Sequence, residues 1–282
     1  MYRALSFLFI LVLAYVISTH VGNPFAGLGS SGELTGKSKE YLLNETGFKG
    51  FLDYLKKLLS GGGLSLSYRQ PSLLLASSFA VSTLLALVPS FALSAVLAAA
   101  WVYLFGFACP KPLRALAFVP EYLYALALSL ASWYLLWPSP LPGSGPSKVL
   151  EYSIVIFLSD FPKLVQALAD LLGGREEFRE MKAFWKAVGL SERGVRLKVM
   201  RTMRAQVIST VFTFMALSLE RSVFVEPMIG FTGLGYLLFN SVTKADVTLA
   251  ASSFILLSAL SISILSVASL LEGESGAPAG AA

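Results

Sequence analysis

The sequence has 282 residues, of which 55% are hydrophobic and only 14% charged, and its mean hydropathy is +0.70. Soluble globular domains carry about 25% charged residues, so this composition excludes a soluble enzymatic domain and predicts an integral membrane protein. The formal net charge of +5 does not indicate nucleic-acid binding. The basic residues lie between apolar runs, where they set the orientation of a membrane protein.

Apolar runs near the length that crosses a bilayer predict an all-α integral membrane fold with about six transmembrane helices. The N-terminal segment, 1–21, holds the first span and is predicted to be retained, because no clean cleavage site follows it. Five further spans form a core, 72–272. The second span is longer than a ~30 Å hydrocarbon core needs, and Pro89 is predicted to bend it. The six predicted spans cover residues 4–20, 73–107, 115–137, 149–172, 205–225 and 247–271.

Two polar segments flank the predicted core. Region 22–71 follows the first helix, is predicted to lie outside the cell, and contains a short amphipathic helix. Asn44 begins an N-glycosylation acceptor sequon in this region. The tail, 273–282, is rich in small residues and is predicted to be disordered.

Basic residues predict the orientation of the chain in a cell membrane. Arg3, the loop with Lys111 and Arg114, and the strongly basic segment 173–204 all fall on one side if there are six spans. The positive-inside rule makes that side cytoplasmic, so the N-terminus is predicted to be cytoplasmic. The 226–246 segment is then predicted to be an external loop.

No residue pattern indicates catalysis by this chain. His20 is the single histidine and lies at the end of the first span, so a serine nucleophile lacks a plausible base. No Cys, His, Asp or Glu group has metal-ligand spacing, and no metal or cofactor is predicted. The stretch GELTGKS, 32–38, resembles a phosphate-binding loop, but it has one residue too few and lies on the predicted outer side.

The basic segment 173–204 is predicted to form two helices joined by a glycine turn. Gly189 is placed to end the first helix in the left-handed conformation, and Ser191 to cap the second. From the residues alone, the segment is either a surface helix on anionic lipid or a docking site for a cytoplasmic partner. The first helix carries an apolar stripe at helical spacing: Phe178, Met181, Trp185 and Val188.

This segment resembles the coupling region of binding-protein-dependent ABC transporter permeases, in particular the dipeptide/oligopeptide/nickel class. The family motif has Glu-Ala-Ala, three further residues and a glycine. That glycine is Gly189 here, while Ala183, Phe184 and Trp185 stand at the Glu-Ala-Ala positions. The resemblance implies a cytoplasmic coupling helix that contacts an ATPase subunit, and we call residues 173–204 the coupling segment. The candidate coupling residues are Glu180, Met181, Ala183, Phe184, Trp185, Lys186, Gly189, Leu190, Ser191 and Glu192.

A second match to the same family lies after the fifth span. The run 225–235, VEPMIGFTGLG, is similar to the family signature V-E-x-x-F-x-x-P-G-L-G, with Ile229 and Thr232 in place of its Phe and Pro. We call 225–235 the signature loop. The residues that match are Val225, Glu226, Gly233, Leu234 and Gly235.

The resemblance implies an importer in which this chain is one membrane subunit and holds half of the translocation pathway. Its partners would be a second homologous permease subunit, two ABC ATPases that bind ATP and Mg²⁺, an external solute-binding protein and membrane lipid. Trp185 is then the expected main anchor on an ATPase. The solute would be a peptide or an oligosaccharide, and an ion-coupled secondary carrier is the alternative function.

Charged residues within the predicted spans are expected to pair inside the helix bundle. Asp160 and Lys163 are three residues apart in the fourth span and are predicted to pair with each other. Glu121 in the third span and the adjacent Glu220 and Arg221, near the outer end of the fifth, are expected to be structural in the same way.

Overall fold

The computed structural model describes residues 63–65, 67–134, 142–143, 145–173, 176–244 and 246–275, together with Val12 and Lys56. The predicted first span, the external amphipathic helix, Asn44 and most of the tail lie outside the described residues. Within them the fold is all-helical, and its few strand-like pairings are isolated bridges. The helices are α1 (Ser72–Phe105), α2 (Lys111–Ala117), α3 (Glu121–Tyr134), α4 (Pro146–Gly173), α5 (Glu176–Ala187), α6 (Glu192–Thr202), α7 (Arg204–Ile229), α8 (Leu234–Thr243) and α9 (Val247–Ser275).

Three of the described helices are long and apolar enough to cross a membrane: α1, α7 and the part of α9 from Thr248 to Leu271. They correspond to the second, fifth and sixth predicted spans. The α1 helix runs through Pro89 without a break. The chain therefore carries helices of membrane-spanning length, as its composition predicts.

The predicted third span, 115–137, is wrong as a single helix. It is divided between α2 and α3, which are bent by 91° and would together make a fourth span. Pro120 lies at the break and disfavours helical geometry in the residue before it. A hydropathy average detects the apolar run but does not detect this bend.

The predicted fourth span, 149–172, is a continuous helix, α4, but it lies outside the group of strongly apolar helices. Three of its charged residues, Lys148, Glu151 and Asp160, are buried in the folded chain although they point in different directions around the helix. Leu164, Leu168 and Leu172 continue the buried surface toward the other end. Because its polar groups face protein, α4 is expected to lie among the other helices rather than against lipid.

Two apolar clusters hold the bundle together, and α1 and α4 contribute to both. The first cluster joins α1 and α4 to α7, α8 and α9, and includes a stacked pair, Tyr152 and Phe231, whose ring centroids are 4.9 Å apart. The second cluster joins the other ends of α1 and α4 to α6 through Val195 and Val199. The signature loop therefore adjoins one cluster and the coupling segment the other.

The predicted external loop, 226–246, is instead the end of α7, a tight turn and the helix α8, whose Leu234 and Leu237 are fully buried. The hydroxyl of Thr83 bonds the backbone at the start of α8, and Thr83 lies about 16 Å along α1 from Ser72. At the other end of α8, Asn240 contacts Tyr68, just before α1. The α8 helix therefore runs antiparallel to α1, from the level of Thr83 back toward the first residues of α1.

Polar groups satisfy the irregular backbone between α7 and α8. Gly230 ends α7 with φ 75°, and its carbonyl accepts a hydrogen bond of 2.9 Å from the amide of Gly143. The amide of Thr232 donates to the carbonyl of Gly143 at 3.0 Å, and the ammonium of Lys148 donates to the carbonyl of Ile229 at 2.9 Å. A break at this depth is stable only where protein groups replace the lost helical hydrogen bonds.

Candidate functional site

The coupling segment has the helix–turn–helix geometry that its sequence predicts. Gly189 has φ 88°, and Ser191 caps α6 by accepting a hydrogen bond from the amide of Gly194, so both predictions are confirmed. The amide of Leu190 donates to the carbonyl of Trp185 at 3.2 Å, and that of Gly189 to the carbonyl of Lys186 at 3.0 Å. These two bonds form a Schellman motif, which fixes the angle at which α5 meets α6.

The residues of the predicted apolar stripe on α5 lie in two different environments. Met181 and Trp185 pack against the second cluster of this same chain, together with Leu190. Phe184 and Val188 are each 59% exposed. The expectation that Trp185 anchors an ATPase stays a prediction, while the structure shows that its partly buried ring packs α5 against the other helices of this chain. The side chain of Phe178 lies outside the described residues.

The exposed side of the coupling segment thus has an apolar centre with charged groups around it. Phe184 and Val188 form that centre, beside the open turn at Gly189, where an added methyl group would meet no atom within 4 Å. Two large apolar side chains and a rigid turn are thus held outward together on this surface. The other exposed candidate residues are Glu180, Ala183, Lys186, Ser191 and Glu192.

Arg196 connects the coupling segment to α1. Its guanidinium donates hydrogen bonds to the carbonyls of Tyr103 at 3.2 Å and Leu104 at 2.8 Å, in the last turn of α1. Gly106 ends α1 with φ 99°, and a methyl group there would lie 3.3 Å from the guanidinium carbon. The positive charge also suits the carbonyl end of a helix dipole. Arg196 therefore ties α6 to the end of α1.

A chain of surface ion pairs continues from Arg196 to α5. Glu192 lies 3.4 Å from Arg196 and 3.2 Å from Lys186. The hydrogen bond from Lys186, followed by the positive charges of Lys186 and Arg196, lowers the pKa of Glu192 below its ordinary value of 4.5. Such exposed pairs contribute little to stability, so they orient the two helices rather than hold them.

The signature loop brings its matching residues together in the core. Glu226, on α7, is fully buried, and its carboxylate accepts hydrogen bonds from the hydroxyl of Thr83 at 2.7 Å and the amide of Tyr236 at 2.9 Å. The Thr83 hydroxyl accepts in turn from the amide of Leu234 at 2.7 Å. The first amides of α8, which no helical carbonyl can satisfy, are thus bound by a carboxylate and a hydroxyl from two other helices.

The two matching glycines, Gly233 and Gly235, lie where neighbouring atoms leave no room for a side chain. A methyl group at Gly233 would lie 2.6 Å from both carboxylate oxygens of Glu226, and one at Gly235 would overlap the carbonyl group of Ser222. Neither position accepts a side chain without movement of α8. Val225 and Leu234 fill the adjacent core and are fully or almost fully buried.

The predicted ion pair between Asp160 and Lys163 is replaced by pairs to other helices. Lys163 binds Glu121 of α3 and also donates to Ser159. Asp160 accepts a hydrogen bond of 2.6 Å from Ser218 and lies 3.8 Å from Arg221, both on α7. Arg221 also lies 2.6 Å from Glu121. Two acids and two bases therefore form one neutral cluster that joins α3, α4 and α7.

Sequence reasoning missed Thr83 and Arg196. Thr83 is one hydroxyl residue in a long apolar run, and nothing nearby indicates a partner in the signature loop, about 150 residues away. Arg196 is one of several basic residues in its segment. The glycine that follows α1, Gly106, was the available signal, because a helix often ends at such a glycine and leaves carbonyls to be bound.

The described residues contain no group of His, Cys, Asp and Glu side chains arranged to hold a metal ion. A comparison of the sequence with models of known protein families finds no match. A comparison with curated proteins finds none either. A function for this chain therefore has to be argued from the coupling segment, the signature loop and the charged cluster themselves.

Proposed function

We propose that this chain is a membrane subunit of an ATP-binding-cassette importer, embedded in the cell membrane with its N-terminus in the cytoplasm. It forms half of a translocation pathway together with a second homologous permease subunit. Two ATPase subunits hold ATP and Mg²⁺, and an external solute-binding protein delivers a peptide or an oligosaccharide. The chain itself carries no catalytic residue in this proposal.

One observation carries the proposal. The short helix α5 and its Schellman turn lie between α4 and α7 in the chain. They hold Phe184 and Val188 outward, while Trp185 packs α5 against the second cluster. Such a rigid, exposed, partly apolar element suits a partner that pushes on it. Arg196 provides the mechanical link to α1. Closure of the ATPases then moves α5 and α6 as a lever and shifts the bundle between inward-open and outward-open states.

The decisive measurement is recovery of ATPase subunits with the purified chain. Phe184→Ala is expected to reduce the affinity for an ATPase by roughly thirtyfold, because truncating a central aromatic contact typically costs about 2 kcal/mol. Phe118→Ala is the matched control, since Phe118 is 74% exposed but lies outside the coupling segment. Absence of any ABC ATPase from the wild-type preparation, or undiminished recovery with Phe184→Ala, would contradict the proposal.

Trp185→Ala tests whether that side chain serves packing within this chain rather than contact with an ATPase. It is expected to lower the free energy of unfolding of the purified chain by about 3 kcal/mol, because the indole packs against the second cluster. Phe184→Ala is expected to leave the stability nearly unchanged. The opposite pattern, with stability lost only in Phe184→Ala, would favour Trp185 as the candidate contact.

A secondary carrier driven by an ion gradient remains the alternative function. The neutral cluster of Glu121, Asp160, Lys163 and Arg221 favours it, because ion-coupled carriers use paired charges within their spans. Transport into inside-out or right-side-out vesicles distinguishes the two. An importer requires ATP at the cytoplasmic face, whereas a carrier responds to an imposed pH or sodium gradient without ATP.

A further inference from the structure

One face of α7 is uncovered by the other described helices. Leu217, Phe224 and Met228 are 37%, 65% and 37% exposed, and the exposed Glu220 lies among them. Their spacing of three and four residues places all four side chains on one stripe of the helix. The stripe is apolar except for a single carboxylate.

That carboxylate has no partner within the described part of the chain. Glu220 makes neither a hydrogen bond nor an ion pair there, whereas its neighbour Arg221 is directed to Glu121 and Asp160 on the other side of α7. The remaining buried acid of α7, Glu226, is held by Thr83 and the start of α8. Of the two acids of α7, Glu220 is therefore the one whose carboxylate is available to bind another molecule.

The position of Glu220 along α7 disfavours lipid around its carboxylate. Glu226 lies level with Thr83, about 16 Å along α1 from its outer end, and Glu220 lies about 9 Å farther along α7. Because α7 continues beyond the predicted span to Ile229, Glu220 lies about 14 Å inside the end of this helix, where a charged side chain is costly to expose to hydrocarbon. Charged residues at this depth face water or another polar molecule.

An apolar groove begins one helical turn from Glu220. It is lined by Tyr122, Phe224, Pro227, Met228 and Phe239 and has a volume of about 370 Å³. This volume lies within the range of small-molecule sites, about 300–1,000 Å³. The groove offers aromatic and thioether surface for an apolar group, and Glu220 offers a negative charge beside it.

We propose that this face of α7 lines the solute pathway and that Glu220 binds a cationic group of the solute while the groove receives an adjacent apolar group. The inference rests on the proposed transport function and adds a specificity-determining residue to it. The site selects a solute with a positive charge next to an apolar side chain, such as a peptide with a free amino terminus. It does not favour a neutral oligosaccharide, which has no cation to pair with the carboxylate.

Photocrosslinking from α7 tests the occupant directly. A benzophenone amino acid replaces Phe224 in the full-length chain, in membrane vesicles that contain the assembled complex. The probe is a tritiated pentapeptide with a free amino terminus and apolar side chains, and the controls are its N-acetylated form and tritiated maltopentaose. The free-amine peptide is expected to label the chain at least about tenfold more strongly than either control, because one charge-assisted hydrogen bond is lost with acetylation.

Variants of Glu220 complete the experiment. Glu220→Gln is expected to reduce labelling by the free-amine peptide to the level of the acetylated one, and Glu220→Asp to retain part of it. Both variants are expected to fold, since Glu220 is exposed and holds no described contact. The matched control places the benzophenone at Leu270, which is 68% exposed on α9, and is expected to give lipid adducts alone.

Adducts from position 224 to a second membrane subunit, or to lipid alone, would overturn the inference. Equal labelling by the acetylated peptide would also overturn it. These outcomes differ from failure of the proposed function, because an importer whose ATPases copurify but whose position 224 never labels with peptide refutes only the role of Glu220. Peptide labelling in a preparation that lacks ATPases refutes only the importer.

Discussion

In the coupling segment two of the three residues at the Glu-Ala-Ala positions of the family motif lie at the surface, whereas in the signature loop the matching residues lie in the core. Ala183 and Phe184 are exposed, and the Glu-Ala-Ala letters of the motif are absent. Glu226 and Gly235 are buried, and both letters of the motif are present. The two regions therefore differ in what their sequence has to satisfy.

This difference separates constraints of geometry from constraints of contact. At Gly235 a side chain would overlap the backbone of Ser222, so only glycine fits while α8 keeps its place. Positions 183 and 184 are exposed, so the packing of this chain constrains their side chains less, although the Phe184 and Trp185 rings are in edge contact with their centroids 5.1 Å apart. The backbone geometry of the coupling segment is set by the positive φ of Gly189 and by the helix cap of Ser191.

The largest expected effect comes from filling the space at Gly235. Gly235→Ala is expected to lower the free energy of unfolding by about 3 kcal/mol or more, because α8 has to move away from α7. Thermal unfolding of the purified chain in nanodiscs measures it. Gly145→Ala is the matched control, since a methyl group there meets no atom within 4 Å. Equal stability of the two variants would remove the steric explanation of the signature loop.

The next effect tests the hydrogen bonds at the start of α8. Thr83→Val preserves volume but leaves the amide of Leu234 without its partner and removes one donor to Glu226, at an expected cost of about 2 kcal/mol. Thr83→Ser is expected to retain most of the stability. Thr213→Val is the control, because the Thr213 hydroxyl bonds only within its own helix. If Thr83→Val and Thr213→Val unfold alike, the carboxylate and hydroxyl do not secure α8.

The same contrast explains which features the sequence predicts. The turn at Gly189 and the cap at Ser191 are local, so a few neighbouring residues suffice to predict both. The burial of α8 depends on Thr83, far away in the chain, and its apolar, glycine-rich start resembles an ordinary loop. The spacing within α4 predicts that Lys163 pairs with Asp160, whereas in the structure Lys163 binds Glu121 of α3.

Substitution at Gly189 is expected to change the stability of the membrane helices little but to abolish transport. Gly189→Val forces a β-branched residue to φ 88° and costs about 2 kcal/mol locally, yet it meets no neighbouring atom. We expect ATPase recovery and transport to be lost while the thermal unfolding of the membrane helices changes little. Gly189→Asn is the control, because asparagine adopts this conformation more readily. Normal transport by Gly189→Val would mean that the turn is not a coupling element.

The smallest expected effect concerns the ion pairs of Glu192 with Lys186 and Arg196. Since the pKa of Glu192 is lowered in the folded chain, its contribution to stability is present above the unfolded pKa and is lost as the pH falls through the folded value, below about pH 4.5. Between pH 6 and pH 8 the contribution is constant, and salt weakens it because both Lys186 and Glu192 are more than half exposed. Glu192→Gln is therefore expected to leave thermal unfolding at pH 7 unresolved from wild type and to reduce the efficiency with which ATP hydrolysis is coupled to transport. A large loss of stability in Glu192→Gln at pH 7 would show that these pairs hold the coupling segment together, and would make its surface as constrained as the core of the signature loop.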